Sequence, residues 1–123
     1  MTSVSKRKIL LVDDEKHWRD RVSAALGAAG FEVLTASDGS EAMARAATPR
    51  LGLMIVDEDL AGESGRMLTR FLRHNHPGVP AILYTNTEAS ADESLETTRQ
   101  DADSCLPKGR MAELLVRVGS CLR

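Results

Sequence analysis

A doubly wound α/β domain, with a five-stranded parallel sheet of order 2-1-3-4-5 flanked by five helices, is the fold class this sequence predicts. Three observations carry the expectation. Short β-type apolar runs recur five times, and helical patterns fill the intervals between them, the alternation of a parallel sheet covered on both faces. The 123 residues are 42% hydrophobic, so a chain of this length can bury an aliphatic core without disulfides or metal staples. No internal repeat, low-complexity tract or linker interrupts it. A single domain over residues 1–123, with its core at about 8–122, is therefore expected.

The apolar runs fall at 8–12, 31–35, 52–56, 80–84 and 104–106. After the first, Trp18, Val22, Ala25, Leu26 and Ala29 recur at helical spacing, and Gly30 stands where a helix C-terminal cap belongs. Asp38 with Glu41 three places on has the form of a capping box opening a second helix. Ser64 caps a third, whose Met67, Leu68, Phe71 and Leu72 form one stripe ended by Pro77. A fourth helix at about 89–100 has Leu95 as its only large apolar residue and should dock weakly. Residues 88–103 are strongly acidic (Glu88, Asp92, Glu93, Glu96, Asp101 and Asp103 against Arg99), which reads first as a solvated face. The last helix carries Met111, Leu114, Leu115, Val118 and Leu122 on one face.

Sixteen basic and 18 acidic residues leave a formal net charge of −2, which excludes binding to nucleic acid or anionic membranes driven by overall charge. The longest apolar stretch near the N-terminus, 9–12, is too short for a signal-peptide core or a membrane span. A cytoplasmic protein is expected. Cys105 and Cys121 belong to no CxxC pair and read as reduced, small apolar fillers.

In an open parallel sheet ligands bind beyond the carboxyl ends of the strands, so polar residues just after apolar runs are the ones to examine. Four strands end in such residues: the first at Asp13 and Asp14, the third at Asp57, the fourth at Thr85 and the fifth beside Lys108. With right-handed crossovers and the order 2-1-3-4-5, these ends lie side by side. Each residue alone has an ordinary reading, as helix cap, turn residue or surface charge; their joint placement points to a site. Two carboxylates ~4 Å apart repel by about 4 kcal/mol at an effective dielectric of 20, so the cluster calls for a cation. Oxygen-only ligands suit Mg²⁺, which keeps several waters and uses one or two carboxylates plus a phosphate. Asp57 then reads as a carboxylate nucleophile toward a phosphoryl group, with Lys108, Thr85 and the metal meeting the phosphoryl oxygens.

These residues closely resemble the receiver domain of two-component response regulators, over nearly the whole chain. The string ILLVDDE at 9–15 looks like the family's first strand and acidic pair. LMIVD at 53–57 with Gly65 is similar to its phosphoacceptor strand and loop, and ILYT at 82–85 and LPK at 106–108 to its switch hydroxyl and lysine. The resemblance implies a flavodoxin-like receiver fold and a phosphorelay role in which Asp57 accepts a phosphoryl group from a phosphohistidine. The donor would be a histidine kinase or a histidine phosphotransfer protein. It implies direct Mg²⁺ ligands in Asp14 and Asp57, Asp13 acting mainly through water, and the backbone carbonyl of Asp59 completing the protein's ligands. Thr85 would swing toward the acyl phosphate and Lys108 pair with it. Such a domain is a signalling phosphoprotein, not an enzyme beyond its own phosphorylation and slow dephosphorylation. It signals through contacts with a downstream protein, with no direct nucleic-acid or membrane contact. Homodimerisation through the fourth and fifth helices, and whether the chain stands alone or belongs to a larger regulator or hybrid kinase, are left open.

Departures gather around the output machinery. Gly109 follows the lysine where the family usually has Pro, and Pro107 precedes it, so the loop holding Lys108 is expected to be built differently. Cys105 occupies the switch-aromatic position, which removes the usual aromatic swing. Asn86 replaces a small residue and is expected to hinder water's approach. Leu60 and Ala61 replace the common Met-Pro, and Asp59 adds a carboxylate beside the site.

Two other classes remain. Asp57 and Asp59 also resemble the Asp-x-Asp signature of haloacid-dehalogenase-type phosphatases, although that signature normally follows the first strand. A phosphorylation-independent interaction module is the third reading. No GxGxxG or phosphate-binding P-loop string occurs, and His74 and His76, two apart, do not share a helix face.

If the weakly anchored fourth helix reads out phosphorylation, amide exchange over 88–103 will differ with and without beryllofluoride. Equal protection in both states would refute that role.

Overall fold

The computed structural model describes residues 7–85 and 102–122. In chain order its elements are β1 (Lys8–Val12), α1 (Lys16–Ala28), β2 (Glu32–Ala36), α2 (Gly39–Ala46), β3 (Leu51–Asp57), β4 (Asp59–Leu60), β5 (Glu63–Ser64), α3 (Gly65–Asn75), β6 (Ala81–Thr85), β7 (Ser104–Pro107) and α4 (Met111–Leu122). The five main strands are parallel, in the order β2-β1-β3-β6-β7. That is the expected order, since β6 and β7 are the fourth and fifth apolar runs. The short pair β4/β5 forms an antiparallel hairpin just after β3 that periodicity did not foresee. Four helices lie among the described residues; the fourth of the five expected, at 89–100, lies outside them, as does Asn86. Strand bounds differ from the apolar runs by a residue or so, because pairing continues into Asp57, Thr85 and Pro107.

Side chains alternate across the sheet and build two cores. Leu10, Val12, Met54, Val56 and Leu83 face one way and meet Ala42 of α2 with Leu68 and Leu72 of α3. Ile9, Leu11, Leu53, Ile55 and Ile82 face the other and meet Val22 and Leu26 of α1 with Leu114 and Val118 of α4. Burial on both faces is why β1 and β3 read as continuous apolar runs rather than alternating ones. Cys105 is buried in β7 and Cys121 is half-buried on α4, both free thiols, as expected of apolar fillers. No helix among the described residues is long and apolar enough to cross a membrane.

The helix ends follow their sequence signals. Gly30, with φ +96°, follows the C-cap Ala29 of α1. The Asp38 carboxylate accepts from Glu41 N–H (2.8 Å), while Glu41 accepts from Ser37 N–H (2.9 Å). Ser64 Oγ accepts from Met67 N–H (3.2 Å). The stripe on α3 needs correction: Met67 and Phe71 are 67% and 51% exposed, and the buried seam is Gly65, Leu68, Thr69 and Leu72. The helix is turned this way because Gly65 lies against the backbone of β3. A Cβ added there would stand 1.8 Å from Asp57 O, so only a residue without one lets α3 sit this close to the strand end.

Gly65→Ala should therefore lower stability by about 1–3 kcal/mol through forced backbone displacement. Gly27→Ala, at an exposed position of α1 where an added Cβ meets nothing within 4 Å, should raise it by up to about 1 kcal/mol. Urea unfolding of both variants checks the contrast.

Candidate functional site

Strand register brings the site together. Val12 pairs with Val56, Asp57 with Tyr84, and Thr85 with Pro107, so Asp13, Asp57, Thr85 and Lys108 emerge from neighbouring strand ends. Val12, Val56 and Tyr84, which precede Asp13, Asp57 and Thr85, are buried, which fixes the backbone that carries these polar ends. Asp13 N–H donates to Ala36 O (3.0 Å), Glu58 N–H to Tyr84 O (2.9 Å) and Lys108 N–H to Thr85 O (2.7 Å). These bonds extend the sheet ladder into the site. Lys108 therefore sits on an extension of the strand pairing, despite Pro107 before it and Gly109 after it.

Lys108 is the electrostatic centre. Its Nζ lies 3.0 Å from Asp57 Oδ2, 3.1 Å from Asp13 Oδ2 and 3.7 Å from Glu15 Oε1. The ammonium also lies 5.0 Å from the Tyr84 ring centroid and 5.5 Å from that of Trp18, within cation–π range. Asp13 and Asp57 are fully buried. Asp57 Oδ1 accepts from Asp59 N–H (2.9 Å). Asp13 Oδ1 accepts from Glu15 N–H (2.9 Å), its Oδ2 accepts from the Tyr84 hydroxyl as well as Lys108, and its backbone oxygen accepts from Arg19 (2.9 Å). Asp14 Oδ2 accepts from Ala61 N–H (2.9 Å), whereas its Oδ1 is buried with no hydrogen-bond partner.

Asp13, Asp14, Glu15 and Asp57 each offer a carboxylate oxygen, all within 4.8 Å of one another. This group could hold a metal ion, and the unpartnered Asp14 Oδ1 is the kind of atom such an ion would satisfy. An all-oxygen donor set fits a hard divalent cation. One ammonium shared by two buried carboxylates leaves a surplus negative charge in a site that burial already dominates. Burial pushes Asp57 up to about 7; the Asp59 N–H and Lys108 oppose the rise, and the Asp13 charge adds to it. For Lys108 burial acts downward, but its bonds to Asp57 and Asp13 prevail and the net shift is upward, so it stays an ammonium. The Tyr84 hydroxyl is held far above its ordinary value by burial and then by Asp13, so it remains a donor.

The structure thus brings Asp13, Asp14, Asp57 and Lys108 together, with Thr85 buried beside Tyr84 at the end of β6. Asp59 lies beside the site, its backbone N–H on Asp57 Oδ1, with its side chain exposed and outside the group of four acids. Glu15 takes the fourth acidic place, a residue legible only as the tail of the DDE run. Spacing alone places Tyr84 on a strand and Trp18 on the apolar face of a helix. Their aromatic faces do pack in the core, and nothing in their spacing announces the lysine between them. Burial pushes the Cys105 thiol up to about 11, with the Glu58 charge adding to the rise and Arg66 opposing it, so it is an inert thiol at neutral pH.

A family model of the response regulator receiver domain matches residues 9–118. The chain is 33% identical over 115 residues to the probable transcriptional regulatory protein TcrX of Mycobacterium tuberculosis, covering 94% of this chain and 49% of that protein. It is similar in structure to a CheY-like response regulator receiver domain protein from Methanospirillum hungatei, with TM-score 0.84 and 27% identity over 96% of this chain and 94% of that one. The response regulator TrrA from Thermotoga maritima, solved in complex with Mg²⁺-BeF, superposes with TM-score 0.83 at 27% identity, covering 94% and 99% of the two chains. The chain spans about half the length of the first curated relatives it matches.

Because folding raises the Asp57 pKa from 3.8 to about 7, its contribution to stability is fully present below 3.8 and lost as pH rises through about 7. Without divalent ions this group should remove about 2 kcal/mol of stability between roughly pH 5.5 and 7.5, one pKa unit being ~1.36 kcal/mol. Asp57→Asn should flatten that slope in chemical denaturation with chelator present.

Proposed function

This chain belongs to the response regulator receiver domain family of two-component signalling, and on that premise we propose that Asp57 accepts a phosphoryl group from a phosphohistidine with the help of Mg²⁺, Lys108 and Thr85. The observation that supports this most is the setting of Asp57. It is a fully buried carboxylate at a strand end, paired to an ammonium and flanked by an unpartnered carboxylate oxygen of Asp14. In transfer, an Asp57 oxygen bonds to phosphorus as the P–N bond breaks. The imidazole nitrogen leaves with that electron pair and takes a proton from water.

Asp14 through Oδ1, Asp57 and the Asp59 carbonyl would hold the metal. Asp13, whose two oxygens already accept from Glu15, Tyr84 and Lys108, would act through water. Mg²⁺, when bound, neutralises charge on the phosphoryl oxygens. Lys108, 3.0 Å from Asp57 Oδ2, passes from the carboxylate to a phosphoryl oxygen as that oxygen gains charge, and the Thr85 hydroxyl donates to another. The TrrA structure with Mg²⁺-BeF, from a chain similar to this one, is in keeping with such a site.

The donor in this reading is a histidine kinase or a histidine phosphotransfer protein, and the acyl phosphate is read by a downstream protein. The domain acts only on its own Asp57, folds as one unit over the chain, and works in the cytoplasm, where its two free thiols persist. The phosphatase reading would need Asp59 as acid/base, and its exposed carboxylate outside the acidic group gives that no support.

Acetyl phosphate with Mg²⁺ should add the mass of one phosphoryl group, and Asp57→Ala should abolish the gain. Lys108→Met should slow transfer by about 10²-fold, the loss typical of one preorganised donor. A wild-type protein that gains no mass would favour a phosphorylation-independent interaction module instead.

A further inference from the structure

Asp13 is more fully engaged by the protein than the other carboxylates of the site. It is 0% exposed, its Oδ1 accepts from Glu15 N–H, and its Oδ2 accepts both from Lys108 and from the Tyr84 hydroxyl. The Tyr84 ring is itself 1% exposed, in the core with Ile82, Leu106 and Leu114, so the hydroxyl cannot swing away without breaking packing. The same ring stands 5.0 Å from the Lys108 ammonium, with Trp18 of α1 at 5.5 Å.

We infer that Tyr84 is a positioning residue of the site: its hydroxyl holds Asp13 Oδ2 away from a divalent cation, and its ring, with Trp18, walls the Lys108 ammonium against Asp13 and Asp57. The inference rests on the metal-assisted reading above and deepens it. The hydroxyl is a neutral donor that remains protonated, so it stabilises the crowded carboxylates while no cation is bound and competes with one that arrives. Its removal leaves a buried carboxylate oxygen short of a partner, a deficit that a hydrated cation relieves. The cation-free form therefore loses more than the loaded form. Lys108 remains beside Asp57 for a separate reason, the aromatic walls, which a phenylalanine would preserve.

Tyr84→Phe keeps the ring and loses only the hydroxyl. It should bind Mg²⁺ about tenfold more tightly than wild type, roughly 1.4 kcal/mol, the low end for a hydrogen bond to a charged group. Isothermal titration gives the constants, and emission of Trp18, the one tryptophan of the chain, gives an independent readout. In the metal-free protein the Lys108 ε-methylene protons should lie upfield from the ring currents. Tyr84→Phe should keep that shift and Tyr84→Leu should reduce it. If the leucine variant does not fold, the phenylalanine variant decides alone.

Dissociation constants of wild type and Tyr84→Phe within about twofold, or no binding by either, overturn the inference, as does an unchanged Lys108 shift in a folded Tyr84→Leu. Neither readout requires phosphoryl transfer. A wild type that binds Mg²⁺ but gains no mass from acetyl phosphate would sink the phosphoacceptor reading and leave the tyrosine comparison standing.

Discussion

One buried ammonium serving two buried carboxylates is the constraint on which this structure turns. Lys108 neutralises Asp13 or Asp57 but not both, and Asp14 and Glu15 add charge at the rim. At an effective dielectric near 20, each close like-charge pair costs about 4 kcal/mol at ~4 Å. Stability is therefore spent at the strand ends to hold an arrangement that is satisfied only when positive charge is added. Such local strain against the fold is characteristic of sites selected for function rather than stability.

The rest of the architecture supplies the rigidity that keeps the repulsion from dispersing the site. Both faces of β1 and β3 are packed, so Asp13 and Asp57 leave strands that cannot slip without exposing a core. The sheet order sets these two strands next to each other, with β6 and β7 following on from β3. Gly65 lets α3 close onto the Asp57 backbone, and the β4/β5 hairpin turns the chain so that Asp59 N–H reaches Asp57.

The aromatic residues of this site are Tyr84 and Trp18. Where the family resemblance led one to look for an aromatic, β7 carries the buried, inert Cys105, while Tyr84 on the neighbouring strand β6 reaches Asp13 and Lys108 directly. The ring is locked in the core between β6 and α4, and Trp18 brings α1 to the lysine from the other side. Tyr84 and Trp18 thus join the site to the core that β6 shares with α1 and α4. The opposite face leaves Met67 and Phe71 of α3 at the surface.

The sequence by itself determined the five main strands, their order, the helix caps at Asp38 and Ser64, and the strand-end residues Asp13, Asp14, Asp57, Thr85 and Lys108. Those features arise from local periodicity, capping chemistry and topological rules that act along the chain. Only the tertiary structure decided that α3 buries Gly65 and Thr69 in place of Met67 and Phe71, that Glu15 and not Asp59 completes the acidic group, and that Tyr84 and Trp18 flank Lys108. Each of these depends on how one element is rotated or spaced against another. That is set by close approach across tens of residues, about which the spacing of side chains along a single strand or helix carries no information.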